Sequence, residues 1–459
     1  MLEHLGADRI EGPLILVKGF PKAAFGELIE VHSADGVRMG QVLATSEEIV
    51  VAELWSDTAG LKPEELRVRF CGEPLRVGVA REMLGRVLDG VGRPRDGLPA
   101  PLVERRVDVQ GMPINPASRM YPEDFIETGI SAIDGMNTLV RGQKLAIFSS
   151  SGLPHNELAA QIALQARIAE TAEKFAVVFA ALGISHDTAA YFQQRFDESG
   201  LLSRTTLLLN LADDPPLERI VTPRIALSLA EHLAFEHDYH VLVLMTDMTN
   251  YAEALRELAS RRNEVPGRKG YPGYLYTDLA TLYERCGRVQ ARAGSITQLP
   301  ILTMPGDDIT HPIPDLTGYI TEGQLVLDGT LHREGIHPPI NVLPSLSRVM
   351  KDGIGEGHTR ADHPRLAAQL YAAYAKVQEV RALAVMIGEG ALSEADRLYL
   401  QFGEAFERNF LAQRMDEARS IDRTLELGWE VLSLLPVSEL TRVSKTELER
   451  YYRPKTNPS

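Results

Sequence analysis

The chain has 459 residues, 44% hydrophobic and 24% charged: the mix of an ordinary globular protein, long enough for about three domains. Its formal net charge of −15 argues against broad, sequence-independent binding to nucleic acid, which needs a basic footprint, although a local patch for phosphates is compatible with it. Cys71 and Cys286 stand far apart and outside any CxxC spacing, so neither a disulfide framework nor a zinc site is expected, and a reducing cytoplasm is.

Met1–Gly12 carries Glu3, His4, Asp8, Arg9 and Glu11, and no signal peptide is expected there. Residues 1–75 then show short apolar runs, Leu14–Val17, Glu27–Val31, Gly40–Leu43, Ile49–Leu54 and Leu66–Phe70. Turn signals separate them at Lys18-Gly19, Ala34-Asp35-Gly36 and Leu61-Lys62-Pro63, a spacing that predicts a small N-terminal β-barrel. Residues 76–357 enter through an irregular Pro/Gly-rich stretch, Gly111–Pro122. Strand candidates follow at Gln143–Ser149, Ala176–Ile184, Thr205–Asn210, His240–Thr246 and Leu299–Met304. Helical patterns lie between them at Asn156–Glu173, His186–Ser199, Pro223–Glu236 and Tyr251–Arg262. Alternation of this kind predicts a multidomain α/β chain with a central parallel sheet covered on both faces. Residues 358–459 predict a helical bundle: Leu366, Leu370, Tyr374 and Val377 share one helix face, and Ser393 with Asp396 resembles an N-cap. The tail 451–459 is expected to fray. The longest apolar runs fall short of the roughly 20 residues that span a bilayer, so no direct membrane insertion is expected.

The chemistry gathers at Lys144–Asn156, KLAIFSSSGLPHN, an apolar strand running into a small-residue turn and an amphipathic helix. That is the setting of a phosphate-binding loop, which needs glycines, a lysine for the outer phosphates and a hydroxyl for magnesium. In that register Ser149 takes the first glycine position and Pro154 the second. His155 takes the lysine position and Asn156 the hydroxyl position. Pro154 removes an N–H, and a mostly neutral histidine cannot copy a lysine. The alternative is an ordinary strand–turn–helix corner. A second strand, HVLVLMTD, ends in Asp247, where phosphate-loop ATPases place the acid that orients magnesium; a plain turn residue is the alternative. After the next strand, Ala181-Leu182-Gly183-Ile184-Ser185 offers no carboxylate to activate water. Independent ATP hydrolysis is therefore not expected. Gly152 and the helix start could still hold an anion.

Longer motifs carry a resemblance. Pro338-Pro339-Ile340-Asn341-Val342-Leu343-Pro344-Ser345-Leu346-Ser347 matches the signature shared by rotary ATPase head subunits. Residues 147–156, Thr246–Tyr251, Gly267–Tyr274 and Pro312–Gln324 resemble the vacuolar/archaeal B branch rather than the catalytic A branch. The resemblance covers nearly the whole chain and implies a central RecA-like domain with a degenerate phosphate loop. It further implies a non-catalytic, regulatory B subunit of a prokaryotic V/A-type rotary ATPase or ATP synthase, three copies alternating with three catalytic A subunits.

Central-stalk subunits D and F and peripheral-stalk subunits E and G would be further partners, with no nucleic acid among them. The complex would sit at the cytoplasmic face of the plasma membrane and couple ATP synthesis or hydrolysis to proton or sodium movement. No tightly bound cofactor is expected; ATP or ADP would lie at the interface with A, with magnesium held by A. Arg348, directly after the signature, is implied to act as an arginine finger on the A-subunit ATP, spreading charge that builds on phosphoryl oxygens. Pairing with Asp352 is the alternative for it. Arg360 is a second nucleotide-contact candidate, or else a tether through Asp362. Ser149, Gly152, Pro154, His155, Asn156 and Asp247 complete the candidate nucleotide site. Tyr319 and Gly323 are read as interface-shaping residues, and Met386–Leu392 as a shaft-facing loop or a helix–helix turn. A self-sufficient ATPase and an RNA-tracking hexameric motor are the competing readings; the missing lysine and base oppose the first, and the acidic charge opposes the second.

Overall fold

The computed structural model describes residues 2–19, 23–46, 48–55, 58–168, 174–262 and 264–454. The N-terminal strands are β1 (Leu2–Leu5), β2 (Arg9–Glu11), β3 (Leu14–Lys18), β4 (Glu27–Ser33), β5 (Gly36–Thr45), β6 (Ile49–Leu54) and β7 (Arg67–Pro74). They form one antiparallel sheet in the order β1-β7-β4-β5-β6-β3-β2. Its two edge strands are joined by Gly6-Ala7-Asp8 alone, so the sheet has to curl to bring its edges together. The inward residues Ile15, Val17, Ile29, Val31, Val50, Ala52, Val68 and Phe70 fill the interior. This curled sheet is the expected barrel. The sequence reading missed β1 and β2, which are too short and polar to show alternation.

From β7 the chain passes directly into β8 (Arg76–Val79), β9 (Val87–Asp89) and β10 (Arg105–Asp108). The next elements are β11 (Arg119–Met120), β12 (Phe125–Glu127), α1 (Ser131–Asp134), β13 (Leu139–Val140), β14 (Ala146–Ser149), α2 (His155–Gln165) and β15 (Arg167–Ile168). The core continues with β16 (Phe175–Ile184), α3 (His186–Ser199), β17 (Thr205–Leu211), α4 (Pro216–His237), β18 (His240–Thr246) and α5 (Met248–Arg261). It ends with α6 (Leu275–Tyr283), β19 (Gly287–Val289), β20 (Ser295–Thr303), α7 (Pro312–Ile320), β21 (Gly323–Leu327), α8 (Gly329–Arg333) and β22 (Ile340–Ser347).

The central sheet runs β22-β21-β14-β20-β18-β16-β17-β9. Its strands are parallel except β22, which pairs antiparallel with β21. β17 and β18 are buried along their whole length, which is why apolar residues occupy both faces, as in Leu207–Leu209 and Val241–Met245. Val177 and Phe179 face Phe192 and Phe196 of α3, while Ala176 and Val178 face the layer of α4 and α5. Two helix boundaries differ most from expectation. The helix expected over Asn156–Glu173 stops at Gln165, because Arg167–Ile168 turns into a strand against β12, with Arg167 Nε 2.6 Å from Glu127 Oε2; residues 169–173 lie outside the described residues. α4 starts at Pro216 rather than Pro223, since a proline in the first turn forfeits no hydrogen bond.

The helical unit comprises α9 (His363–Ile387), α10 (Glu394–Ala405), α11 (Ile421–Leu432) and α12 (Lys445–Tyr451). Leu366, Leu370, Tyr374 and Val377 are all buried, as their spacing predicts, and Ser393 with Asp396 closes a capping box on α10. Tyr451, expected in the frayed tail, instead stacks on Trp429 with centroids 5.6 Å apart; residues 455–459 lie outside the described residues. No helix among the described residues is long and apolar enough to cross a membrane.

His363 seals the junction between helices and sheet. Its ring is fully buried; Nε2 donates to the Gly135 carbonyl at 3.2 Å, and Nδ1 accepts from the Thr359 hydroxyl at 3.0 Å. Burial pulls its pKa down from 6.5 to about 4. The unfolded chain therefore takes up this proton first as the pH falls. The stabilisation is complete above the unfolded value and is lost as the pH drops through 6.5 toward 4. We expect wild type to lose roughly 3 kcal/mol more stability than His363→Gln between pH 7.5 and 4. Urea midpoints at the two pH values check this, and equal losses would show that the buried neutral ring is not responsible.

Candidate functional site

β14 lies inside the sheet between β21 and β20, so the chain leaves it at the edge where the parallel strands end, and α2 begins there. The loop between them is closed on itself. Leu153 N–H donates to Ser150 O at 3.2 Å and His155 N–H to Leu153 O at 2.8 Å. Pro154 has no N–H and occupies the N-cap of α2. The His155 ring folds back: Nδ1 lies 3.1 Å from Leu153 O, to which it donates, and 3.2 Å from the hydroxyl of Ser149. Ser149 is fully buried and donates to Ser150 O. Asn156 Oδ1 accepts from Thr246 Oγ1 at 3.3 Å, tying the start of α2 to the end of β18. Gly152 adopts φ +81° at the exposed tip of the turn. Two of the loop's amides, those of Leu153 and His155, are thus bonded to the loop's own carbonyls. Lys144, before the strand that leads into the loop, is buried between Glu284 and Glu322, its Nζ 2.9 Å from each.

Asp247 stands at the end of β18 as expected, but its carboxylate holds the fold. Oδ1 accepts from Thr249 N at 2.8 Å, capping α5, and from Thr303 N at 3.1 Å, at the end of β20. At the Gly183 turn, where a catalytic carboxylate would stand, the backbone is taken up by amides. Gly183 N donates to Asn210 Oδ1 at 3.0 Å, and Asn250 Nδ2 donates to Leu182 O at 2.9 Å. Gly183 has φ +63°, and a Cβ there would lie 2.8 Å from Arg219 Nε. A side chain at Gly183 cannot enter without displacing that guanidinium.

Arg348 is elsewhere. In the antiparallel β21–β22 pair, Gly323 faces Ser347, and in the parallel β14–β21 pair, Ala146 faces Gln324. Arg348 therefore leaves the sheet at the edge where the parallel strands begin, opposite the loop after Ser149. The strand rise sets them roughly 13 Å or more apart along the sheet. Its side chain is exposed and, among the described residues, reaches two carbonyls, Thr321 O at 3.4 Å and Gly318 O at 3.5 Å, and does not pair with Asp352. Its backbone is firm, with N–H donating to Glu322 O at 2.9 Å. Gly323 has φ +146°, and a Cβ there would meet Leu346 O at 2.0 Å, so only glycine lets the two strands close beneath the arginine. Tyr319, 73% exposed, projects from α7 beside it.

Arg360 is not brought to this edge. It grips Asp362 with two bonds, of 2.6 and 2.9 Å, and lies 4.4 Å over the Tyr451 ring, while Asp362 also accepts from Trp429 Nε1 at 2.7 Å. That is the tether through Asp362. Met386 and Ile387 end α9 as an exposed apolar tip, followed by Gly388 at φ +83°. The sequence reading overlooked Glu322, whose carboxylate accepts from Lys144 N at 2.7 Å and pairs with its Nζ. It joins the strand before the phosphate loop to the turn that carries Arg348. Its motif was visible, but the pairing across 178 residues was not.

Because Asp247 acts as a cap, Asp247→Asn should melt close to wild type, while Asp247→Ala should lose about 1–2 kcal/mol, asparagine being as good a cap as aspartate. Thermal unfolding of both variants tests this; an asparagine variant as damaged as the alanine one would show that the charge, not the cap, matters.

Comparison with known proteins agrees with this geometry. Residues 129–347 match the family model of the ATP synthase alpha/beta family, nucleotide-binding domain, and residues 352–452 match the C-terminal domain of V and A type ATP synthase. Over 456 residues the chain is 57% identical to the V-type ATP synthase beta chain of Halothermothrix orenii, spanning 99% of this chain and 98% of that one. Its fold is similar to the solved ATP synthase subunit NeqB from Nanoarcheaum equitans, with a TM-score of 0.74 and 40% identity over 92% of this chain and 100% of that one. The chain belongs to the ATP synthase alpha/beta family, on its V- and A-type branch, as a homologue of the beta chains.

Proposed function

We propose that the chain is the non-catalytic, regulatory B subunit of a V/A-type rotary ATPase, and that it lends Arg348 to the ATP site of a neighbouring catalytic A subunit. The observation that carries this reading is the placing of Arg348 on the sheet edge opposite the chain's own phosphate loop. An arginine there cannot reach phosphate held at residues 149–156, but it can enter a site on an adjoining chain. Its guanidinium has no carboxylate partner among the described residues to give up first. A planar, permanently charged group suits the charge that spreads over phosphoryl oxygens during transfer.

Three copies alternate with three A subunits in a head, with ATP or ADP at the interfaces. Magnesium is held by the A subunit, since the residues at 149–156 and Asp247 do not fit a magnesium–triphosphate: the lysine position is His155, the hydroxyl position Asn156, and the acid is spent on a cap. The head contacts the central stalk subunits D and F and the peripheral stalk subunits E and G at the cytoplasmic face of the membrane. There it couples ATP turnover to proton or sodium movement in a separate rotor.

The isolated chain should hydrolyse ATP at background rate, and mixing it with its A partner should restore turnover. In the reconstituted head, Arg348→Ala should leave assembly intact by size-exclusion chromatography and lower the steady-state rate by about 10³-fold or more. Arg348→Lys should recover little, because the planar two-point geometry is lost. Normal turnover in the alanine variant would place the finger on another residue.

A further inference from the structure

Away from the nucleotide-type site, one group of side chains among the described residues gathers metal-ligating atoms. It lies where the last turns of α4 meet the segment entering β10. His232 and His237 come from α4, and Glu104 immediately precedes β10. The two imidazole Nε2 atoms lie 3.0 and 2.8 Å from the same carboxylate oxygen, Glu104 Oε2, and 3.2 Å from each other. The rings stand nearly perpendicular, at 80°, with centroids 4.8 Å apart. Three potential ligand atoms thus converge on one point instead of pairing with separate partners.

The triangle has the size of a metal coordination face. Bonds of about 2.0–2.1 Å to imidazole nitrogen and carboxylate oxygen, arranged tetrahedrally, put neighbouring ligand atoms about 3.3 Å apart. The three observed separations fall short of that by a few tenths of an ångström, which small side-chain rotations supply. Two imidazoles and one carboxylate form a mixed nitrogen–oxygen set suited to zinc, cobalt or nickel, whereas magnesium and calcium prefer all-oxygen sites. The carboxylate is held in place for this: Glu104 Oε1 accepts from Arg81 N–H at 2.9 Å, which leaves Oε2 turned toward the two imidazoles. His232 is buried, and among the described residues the polar contacts of its ring are made by Nε2, to Glu104 and His237. Glu104 is exposed, which leaves a path for an ion and room for a water as fourth ligand.

We propose that Glu104, His232 and His237 form a transition-metal site of the zinc, cobalt or nickel class. Its role is to fasten two parts of the chain. Glu104 N–H donates to Val79 O at 3.1 Å within the β8–β10 pair, and β8 follows directly on β7 of the N-terminal sheet. An ion at this point locks that hairpin onto α4, which packs against the central sheet. The site is independent of Arg348 and of the proposed part in ATP turnover.

The test uses the tag-free, full-length chain stripped with chelator. Titration with Co²⁺ should fill one equivalent with the visible absorption of tetrahedral cobalt, and Zn²⁺ should displace it and raise the thermal midpoint; Mg²⁺ should do neither. Glu104→Gln and His237→Ala, with circular dichroism confirming that they fold, should weaken binding by more than the roughly 10–100-fold that loss of an outer-shell partner costs, and should abolish the zinc-dependent midpoint shift. Wild type without the cobalt spectrum, or unchanged binding in both folded variants, overturns the proposal.

Discussion

A sheet of parallel strands has two unlike edges, and the arrangement of this chain's functional groups follows from that asymmetry. Each parallel strand must return through a crossover, so all strands begin at one edge and end at the other, with helices covering both faces. The loop after β14 and Asp247 after β18 therefore fall together at the ending edge, joined by the Thr246–Asn156 bond. β22 runs the other way and delivers Arg348 to the starting edge. One chain thus presents a remnant pocket on one edge and a reaching arginine on the other, the division of labour that the proposed ring of alternating chains uses.

The remnant pocket has more than a lysine missing. Its loop has refolded into a self-satisfied corner in which Leu153 and His155 give their N–H groups to neighbouring carbonyls. To receive a phosphate, those bonds would have to open, each at a net cost of about 0.5–1.5 kcal/mol, with no ammonium group to offset it. The Gly183 turn is filled in the same way, with Arg219 and Asn250 packed against it. Both changes replace groups that would act on a ligand with groups that satisfy the protein, which stabilises this chain without substrate.

The helical unit is attached by buried polar contacts rather than by apolar packing alone. His363 reaches Gly135, and the Asp362 carboxylate collects Arg360 and Trp429 beneath Tyr451. A charged group buried this way is strongly directional, because breaking one partner leaves the other unpaired in a poorly polarisable setting. Arg360 belongs to this junction, which gives a structural task to the conspicuous arginine in the Gly-His-Thr-Arg-Ala-Asp run.

The amino-acid sequence alone determined the layered α/β core, the barrel before it and the helices after it. Periodicity is local, and unbroken apolar runs such as Val241–Met245 already state that both faces of a strand are covered. It also showed that Pro154 cannot supply an amide N–H and His155 cannot supply an ammonium, whatever the fold does. Tertiary structure alone decided where α2 stops, because strand pairing by Ile168 overrides helix propensity at the far end. It decided that Asp247 is a cap, that Arg360 is a tether and that Glu322 braces the arginine turn. It also put Glu104 beside two histidines more than a hundred residues away. Each of these depends on a partner distant along the chain, and a side chain's charge or shape does not name the partner that folding brings to it.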